Sequence, residues 1–167
     1  PTFSTDPEMV QGIIAGGYDA LVRSIEGAED NPADGAEAIL KYGINAEDTV
    51  LGITASSTTP FVLGALEKAK EIGAITGLLL CNNPPILEFV DHIISVIVGS
   101  EIITGSTRMK AGTATKLVLN MVTTTLMIKL NKTYGNLMVD LKASNEKLWD
   151  RGARIIQYLT DLNFEDS

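Results

Sequence analysis

The sequence predicts an α/β layer fold built on a parallel sheet, and three observations carry that prediction. Short β-rich apolar runs alternate with helical patterns four times. The runs are apolar throughout, as strands covered on both faces are. Polar, hydroxyl-rich loops follow the second and fourth runs, where ligands of such sheets bind, beyond the carboxyl ends of the strands.

The first run is MVQGIIA (Met9–Ala15), ending at Gly16-Gly17 and leading into a helical segment from Tyr18 to Glu29. A helix then opens with Asn31-Pro32, runs to Tyr42 and stops at Gly43, an arrangement that follows the preference for proline just inside a helix start and glycine just past its end. TVLGIT (Thr49–Thr54) is the second run. After the loop ASSTT, Pro60 sits in the first turn of a helix that continues to about Ile72 and is closed by Gly73. ITGLLLC and HIISVIVG are two more strands, bounded by NNPP and Gly99. After Gly112 the pattern is helical to the end. Ala111–Leu130 reads as a buried core helix, because Lys116, Asn120 and Lys129 interrupt it too often for a membrane span. A segment from Leu137 follows, in which Leu141, Leu148, Ile155, Ile156, Leu159 and Leu162 form one apolar side. This reads as one domain over residues 1–167, with residues 111–167 as its helical part.

The 167 residues are 45% hydrophobic, enough for a core. A net charge of −8 excludes a broad nucleic-acid or anionic-membrane surface, which needs a positive field, so any anion site is local. The one cysteine, Cys81, forms no internal disulfide and reads as a small buried hydrophobe in a reduced compartment. No signal-peptide pattern is present, and the sequence opens on PTFSTDPEM without an initiating methionine, which reads as a cut end of a cytoplasmic protein.

Three constellations carry chemistry. Thr54, Ser56, Ser57, Thr58 and Thr59 place five hydroxyls between a strand and a helix N-terminus, where free amides and the helix dipole favour an anion. A helix cap needs one hydroxyl, so five point to a phosphate cradle. Without a P-loop glycine pattern and lysine, that phosphate does not belong to a nucleotide. The stretch GSTRMKAGTATK (Gly105–Lys116) sets Arg108, a fork for phosphate or carboxylate, and Lys110 among small hydroxyl residues. On composition alone it reads equally as an anion site or a solvated basic turn. Glu26 and Glu29 in EGAED share one helix face at a spacing of three, and from spacing alone they are an ordinary exposed pair. His92 has no second histidine or cysteine cluster beside it and reads as structural, and no metal site is expected.

Read together, IIAGG, EGAED, GITASSTTPFV, CNNP, TGSTRMKAGTATKLVLN and YGNLMVDLKASNEKL resemble the N-acetylmuramic acid 6-phosphate etherases. These are sugar isomerase (SIS) domain proteins related to the glucokinase regulatory protein. The likeness runs in order over residues 1 to about 156, and YLTDLNFEDS carries no match. It implies a three-layer α/β/α SIS-type fold with a five-stranded parallel sheet, a homodimer with sites near its interface, and a phosphorylated amino sugar as ligand. It also implies cleavage of the lactyl ether of N-acetylmuramic acid 6-phosphate to N-acetylglucosamine 6-phosphate and D-lactate, with no cofactor, in peptidoglycan recycling. By the same resemblance the catalytic base matches Glu29, with Glu26 beside it in the sugar pocket. Thr54, Ser56, Ser57, Thr58 and Thr59 fall on the phosphate loop, and Ser106, Thr107, Arg108 and Lys110 match a second ligand-contacting loop.

The departures are as informative. The family's first strand, its glycine-rich phosphate loop and a second glutamate assigned as the acid would lie ahead of Pro1, and the family's C-terminal helical region is also missing. The sequence therefore reads as a fragment, inactive or impaired by itself. The absent strand is central, between the equivalents of MVQGIIA and TVLGIT, so exposed apolar faces and unpaired backbone are expected there. Ala55-Ser56-Ser57 stands where the family has Ala-Ser-Gly. Two other readings stay open: a sugar-phosphate-binding regulatory module without turnover, and a SIS-type sugar-phosphate isomerase.

Overall fold

The computed structural model describes residues 3–140, 143–160 and 162–163. The chain divides into two compact units, one of Gly12–Val118 and one combining Pro1–Gln11 with Leu119–Ser167.

The Gly12–Val118 unit holds a parallel three-stranded sheet, β1 (Thr49–Thr54), β2 (Ile75–Leu80) and β3 (His92–Ser95), in the order β1-β2-β3. Register runs from Thr49 opposite Ile75 to Thr54 opposite Leu80, and from Gly77 opposite His92 to Leu80 opposite Ser95. The central strand β2 is buried from Thr76 through Leu80, as the apolar run ITGLLL requires. Helices α1 (Pro32–Lys41) and α2 (Pro60–Ile72) start and stop where their proline and glycine signals put them. Asn31 caps α1 by accepting from the Ala33 amide at 3.0 Å, and Gly73 closes α2 at φ 97°. The core lies between sheet and helices: Ile39 with Ala69 and Ala74 in one cluster, Leu66 with Leu78 and Leu80 in another, and Val50 packed against both.

Two glycines set how closely α1 and α2 pack. A Cβ on Gly35 would sit 2.0 Å from the carbonyl oxygen of Phe61, and one on Gly64 would sit 2.1 Å from that of Pro32. Each helix start is pressed against the other's backbone, so a side chain at either position displaces main chain rather than a rotamer.

The sheet is tied to the loop before β3 by a polar knot on buried Thr76. Its hydroxyl lies 2.7 Å from the Phe89 carbonyl and 3.0 Å from the Asp91 carboxylate, and it accepts from the Asp91 amide at 3.1 Å. Asp91 also accepts from the Thr76 amide and pairs with Lys70 of α2. The Lys70 ammonium first, then the Thr76 amide and hydroxyl, hold the Asp91 carboxyl at about 2 instead of 3.8.

Several expectations are corrected. MVQGIIA is not a strand: Pro7–Met9 is a 3₁₀ turn and residues 10–14 are irregular. A strand forms only on a ladder partner, and the described residues supply none there. Met9, Val10 and Ile14 are exposed, and Ile13 alone packs against the Ile39 cluster. β1 is consequently an edge strand with Ile53 42% exposed, which is the unpaired apolar edge the sequence led us to expect. The sheet has three strands among the described residues, not the five of the resemblance. The helix expected over Tyr18–Glu29 is a 3₁₀ turn at Tyr18–Leu21 followed by irregular chain and a turn in which Gly27 takes φ 74°. β3 is half as long as its apolar run.

In the other unit, α3 (Lys110–Lys129), which begins in the Gly12–Val118 unit, continues from Leu119. It is less buried than read: Ala111, Val118 and Met127 are covered, while Leu117, Met121 and Ile128 are exposed. The chain does not stay helical after it. A short antiparallel hairpin, β4 (Thr133–Tyr134) and β5 (Leu137–Met138), turns at Gly135, and α4 (Glu146–Leu159) begins only at its Asn145 cap. Leu137 is therefore in a strand, Leu162 lies past the helix end, and Leu141 lies outside the described residues. No helix among the described residues is long and apolar enough to cross a membrane.

Two outcomes are expected from the packing. Gly64→Ala lowers stability by at least about 1–3 kcal/mol, the usual cost of overpacking, read as a lower urea midpoint with unchanged slope. Because its folded-state pKa is depressed, Asp91 stabilises the fold fully above its ordinary value of 3.8, and that contribution is lost as pH falls towards about 2. Asp91→Asn is therefore less stable than wild type at neutral pH, and the gap closes across that acid window in pH-dependent thermal melts.

Candidate functional site

A trough of about 600 Å³ runs along the free edge of β1. One wall is Ile13, Ile14, Ile25 and Ala28, the other is β1 from Val50 to Thr54, and Phe61, Val62 and Ala65 of α2 close it. Its polar lining residues are Ser24, Glu29, Thr54, Ser56, Thr59 and Thr107. Among the residues lining it, Glu29 is the only carboxylate.

Glu29 is held there through its backbone. Its carbonyl accepts from the Phe61 amide at 3.0 Å, one of the first-turn donors of α2 that have no partner within the helix. The Asn31 cap and the Gly35–Gly64 contact fix the chain just beyond it. Glu26, by contrast, accepts from its neighbour Ser24 at 3.1 Å and does not line the trough. The two glutamates sit on turns, so the shared helix face is not formed.

The loop after β1 is a mesh of hydroxyls. Thr54 and Thr59 bond across it at 2.7 Å, Ser56 and Thr58 at 3.2 Å, and the Thr58 amide donates to Ser56 at 3.3 Å. The ordinary cap is not made: Thr59, at the N-cap of α2, forms no side-chain bond to the helix. Its hydroxyl is turned to Thr54 instead, so no side chain covers the positive end of α2. Ser57, 9% exposed, takes φ 81°, a left-handed conformation that favours glycine. That is the position where the resemblance has glycine.

In the second predicted loop the structure brings only Thr107 to the trough. Ser106, Arg108 and Lys110 do not line it. Arg108 is exposed, and the Lys110 ammonium donates to the Ser100 carbonyl at 2.7 Å. Sequence reasoning missed Glu101, whose two carboxylate oxygens accept from the Lys110 and Ala111 amides at 3.0 Å each. Those two bonds hold its carboxyl below the usual range. Cys81 is half-buried, not buried, with Sγ 3.7 Å from the Ala111 carbonyl. His92 is exposed at the start of β3. No cluster able to hold a metal ion is found among the described residues.

The parallel sheet flanked by helices is consistent with a SIS-type fold, and residues 3–70 match the family described as glucokinase regulatory protein N-terminal SIS domain. Over nearly all its length the chain is similar to proteins named N-acetylmuramic acid 6-phosphate etherase. It is 54% identical to that of Clostridium acetobutylicum over 99% of this chain and 55% of the relative. It is 55% identical to that of Gloeobacter violaceus over 97% and 53%, and 50% identical to that of Clostridium botulinum over 100% and 56%. The chain resembles these etherases along nearly its whole length, and it spans about half the length of the curated relatives it matches.

Replacing Ser57 by glycine relieves the left-handed strain at a position with little room for alternatives. It raises stability by about 1 kcal/mol, after the greater unfolded-state entropy of glycine is subtracted. Thermal unfolding of Ser57→Gly checks this as a rise in Tm.

Proposed function

We propose that the chain carries the base and part of the phosphate site of an N-acetylmuramic acid 6-phosphate etherase, a carbon–oxygen lyase. The observation that carries the reading is that Glu29 and the hydroxyls of Thr54, Ser56, Thr59 and Thr107 border one trough. Phosphate of the amino sugar sits on the loop from Thr54 to Thr59, at the N-terminus of α2 that no side chain caps. Ser57 contributes its loop amide and Thr58 its hydroxyl.

In the ring-opened sugar, C2 is acidified by the neighbouring aldehyde. The Glu29 carboxylate takes the C2 proton, the electron pair forms the C2–C3 double bond, and the C3–O bond breaks. Lactate leaves on that oxygen with a proton from an acid. Water then adds to the unsaturated aldehyde, at C3 for its oxygen and C2 for its proton, giving N-acetylglucosamine 6-phosphate and D-lactate. Since Glu29 is the lone carboxylate of the trough, the acid comes from elsewhere in the relatives' greater length or from a second subunit of a homodimer. Cytoplasmic peptidoglycan recycling is the setting that the substrate implies.

The match of residues 3–70 to the regulatory-protein SIS domain favours a second reading, a sugar-phosphate-binding module without turnover. A test assays D-lactate release from N-acetylmuramic acid 6-phosphate by the chain and by a version extended at its N-terminus to the relatives' length. The chain alone is expected to be slower by about 10²–10⁴, the usual contribution of a general acid, and Glu29→Gln abolishes activity of the extended form. A ligand that binds the extended form and is recovered unchanged supports the regulatory reading. An active extended Glu29→Gln overturns the assignment of the base.

A further inference from the structure

The three helices of the Gly12–Val118 unit end differently at their N-termini. Asn31 caps α1 with its own side chain. At α2 the Phe61 amide goes to the Glu29 carbonyl and no side chain caps the helix. At α3 the Glu101 carboxylate takes two amides at once, those of Lys110 and Ala111, each at 3.0 Å. This is the position and the chemistry an arriving phosphate would adopt: two oxygens on consecutive amides at the positive end of a 20-residue helix. The nearby Lys110 ammonium is also engaged, on the Ser100 carbonyl at 2.7 Å. Glu101 is ionised at neutral pH, since the Ala111 and Lys110 amides favour its charged form.

We propose that Glu101 is a positioning residue. As a resident anion it closes the N-terminus of α3 to phosphate, so that the phosphate of a sugar phosphate is directed to the Thr54–Thr59 loop and α2, while the Gly105–Lys110 loop meets the sugar through the neutral hydroxyl of Thr107. Without this device the unit would offer a phosphate a second helix end, also preceded by hydroxyl residues. A sugar held by the wrong one would not present C2 to Glu29. The inference rests on the functional reading above for the identity of the ligand, but not for its test.

The test follows backbone amide NMR shifts of the chain during titration with inorganic phosphate, for wild type, Glu101→Ala and Glu101→Gln. In wild type, phosphate is expected to move the amides of Ser56 to Thr59, Phe61 and Val62 and to leave those of Lys110, Ala111 and Gly112 unmoved. In Glu101→Ala the latter three gain saturable shifts, and Glu101→Gln, which retains the shape but not the charge, gains them more weakly. Saturable shifts at Lys110–Gly112 in wild type overturn the proposal. So does their absence from a folded Glu101→Ala; if that variant does not fold, Glu101→Gln decides by the same criterion. Gained shifts in the variants with none at Ser56–Val62 in wild type support the role of Glu101 and instead remove the phosphate loop from the functional reading.

Discussion

The site depends on one backbone contact: the start of α1 pressed against the start of α2 at Gly35 and Gly64, with the Phe61 amide bonded to the Glu29 carbonyl. Glu29 has no regular secondary structure of its own. It sits on a turn, and its location is set by the chain immediately C-terminal to it, an Asn31 cap and a helix whose backbone touches α2. Since α2 begins where the hydroxyl loop ends, the same contact fixes the backbone of Glu29 relative to the loop. The backbone of a residue on a turn is thereby given the rigidity of two packed helices, which placement of a catalytic group would require.

The second constraint is the unpaired edge of β1. Parallel strands are stable when buried on both faces and paired on both sides, and among the described residues β1 is paired on one side only. The cost appears as exposed Ile53, as an irregular Val10–Ile14, and as an apolar trough between them. The polar residues of that trough form the candidate site, which therefore borders the unpaired edge of the sheet. The relatives are about twice as long as this chain, and the functional reading draws its acid from outside the trough for the same reason.

How much was legible in the sequence varied with how local the determining physics is. α2 was read to the residue because Pro60 and Gly73 act on their own backbone torsions, and β1 and β2 because their apolar runs have partners of equal length. MVQGIIA has the same composition, but strand formation is a property of a pair, and one run cannot show whether its neighbour is present. EGAED looked helical by spacing, and Gly27 in a left-handed conformation broke it. Glu29 reached the site for reasons of tertiary packing that its spacing from Glu26 did not contain. Glu101 was missed because a capping box spans three residues, whereas this carboxylate reaches the helix from nine residues upstream across a loop. An acidic residue in the polar stretch GSEIITGSTRMK was the available signal.

The central claim is that one trough joins the phosphate loop to the Glu29 carboxylate. The most direct measurement is a crystal structure of the chain with glucosamine 6-phosphate bound. The account predicts phosphate oxygens on the hydroxyls and amides between Thr54 and Thr59, and a Glu29 carboxylate oxygen within about 3–3.5 Å of C2, the separation of a reacting pair. A phosphate bound on that loop with the Glu29 carboxylate turned away to solvent, or a sugar phosphate seated elsewhere on the Gly12–Val118 unit, would contradict it.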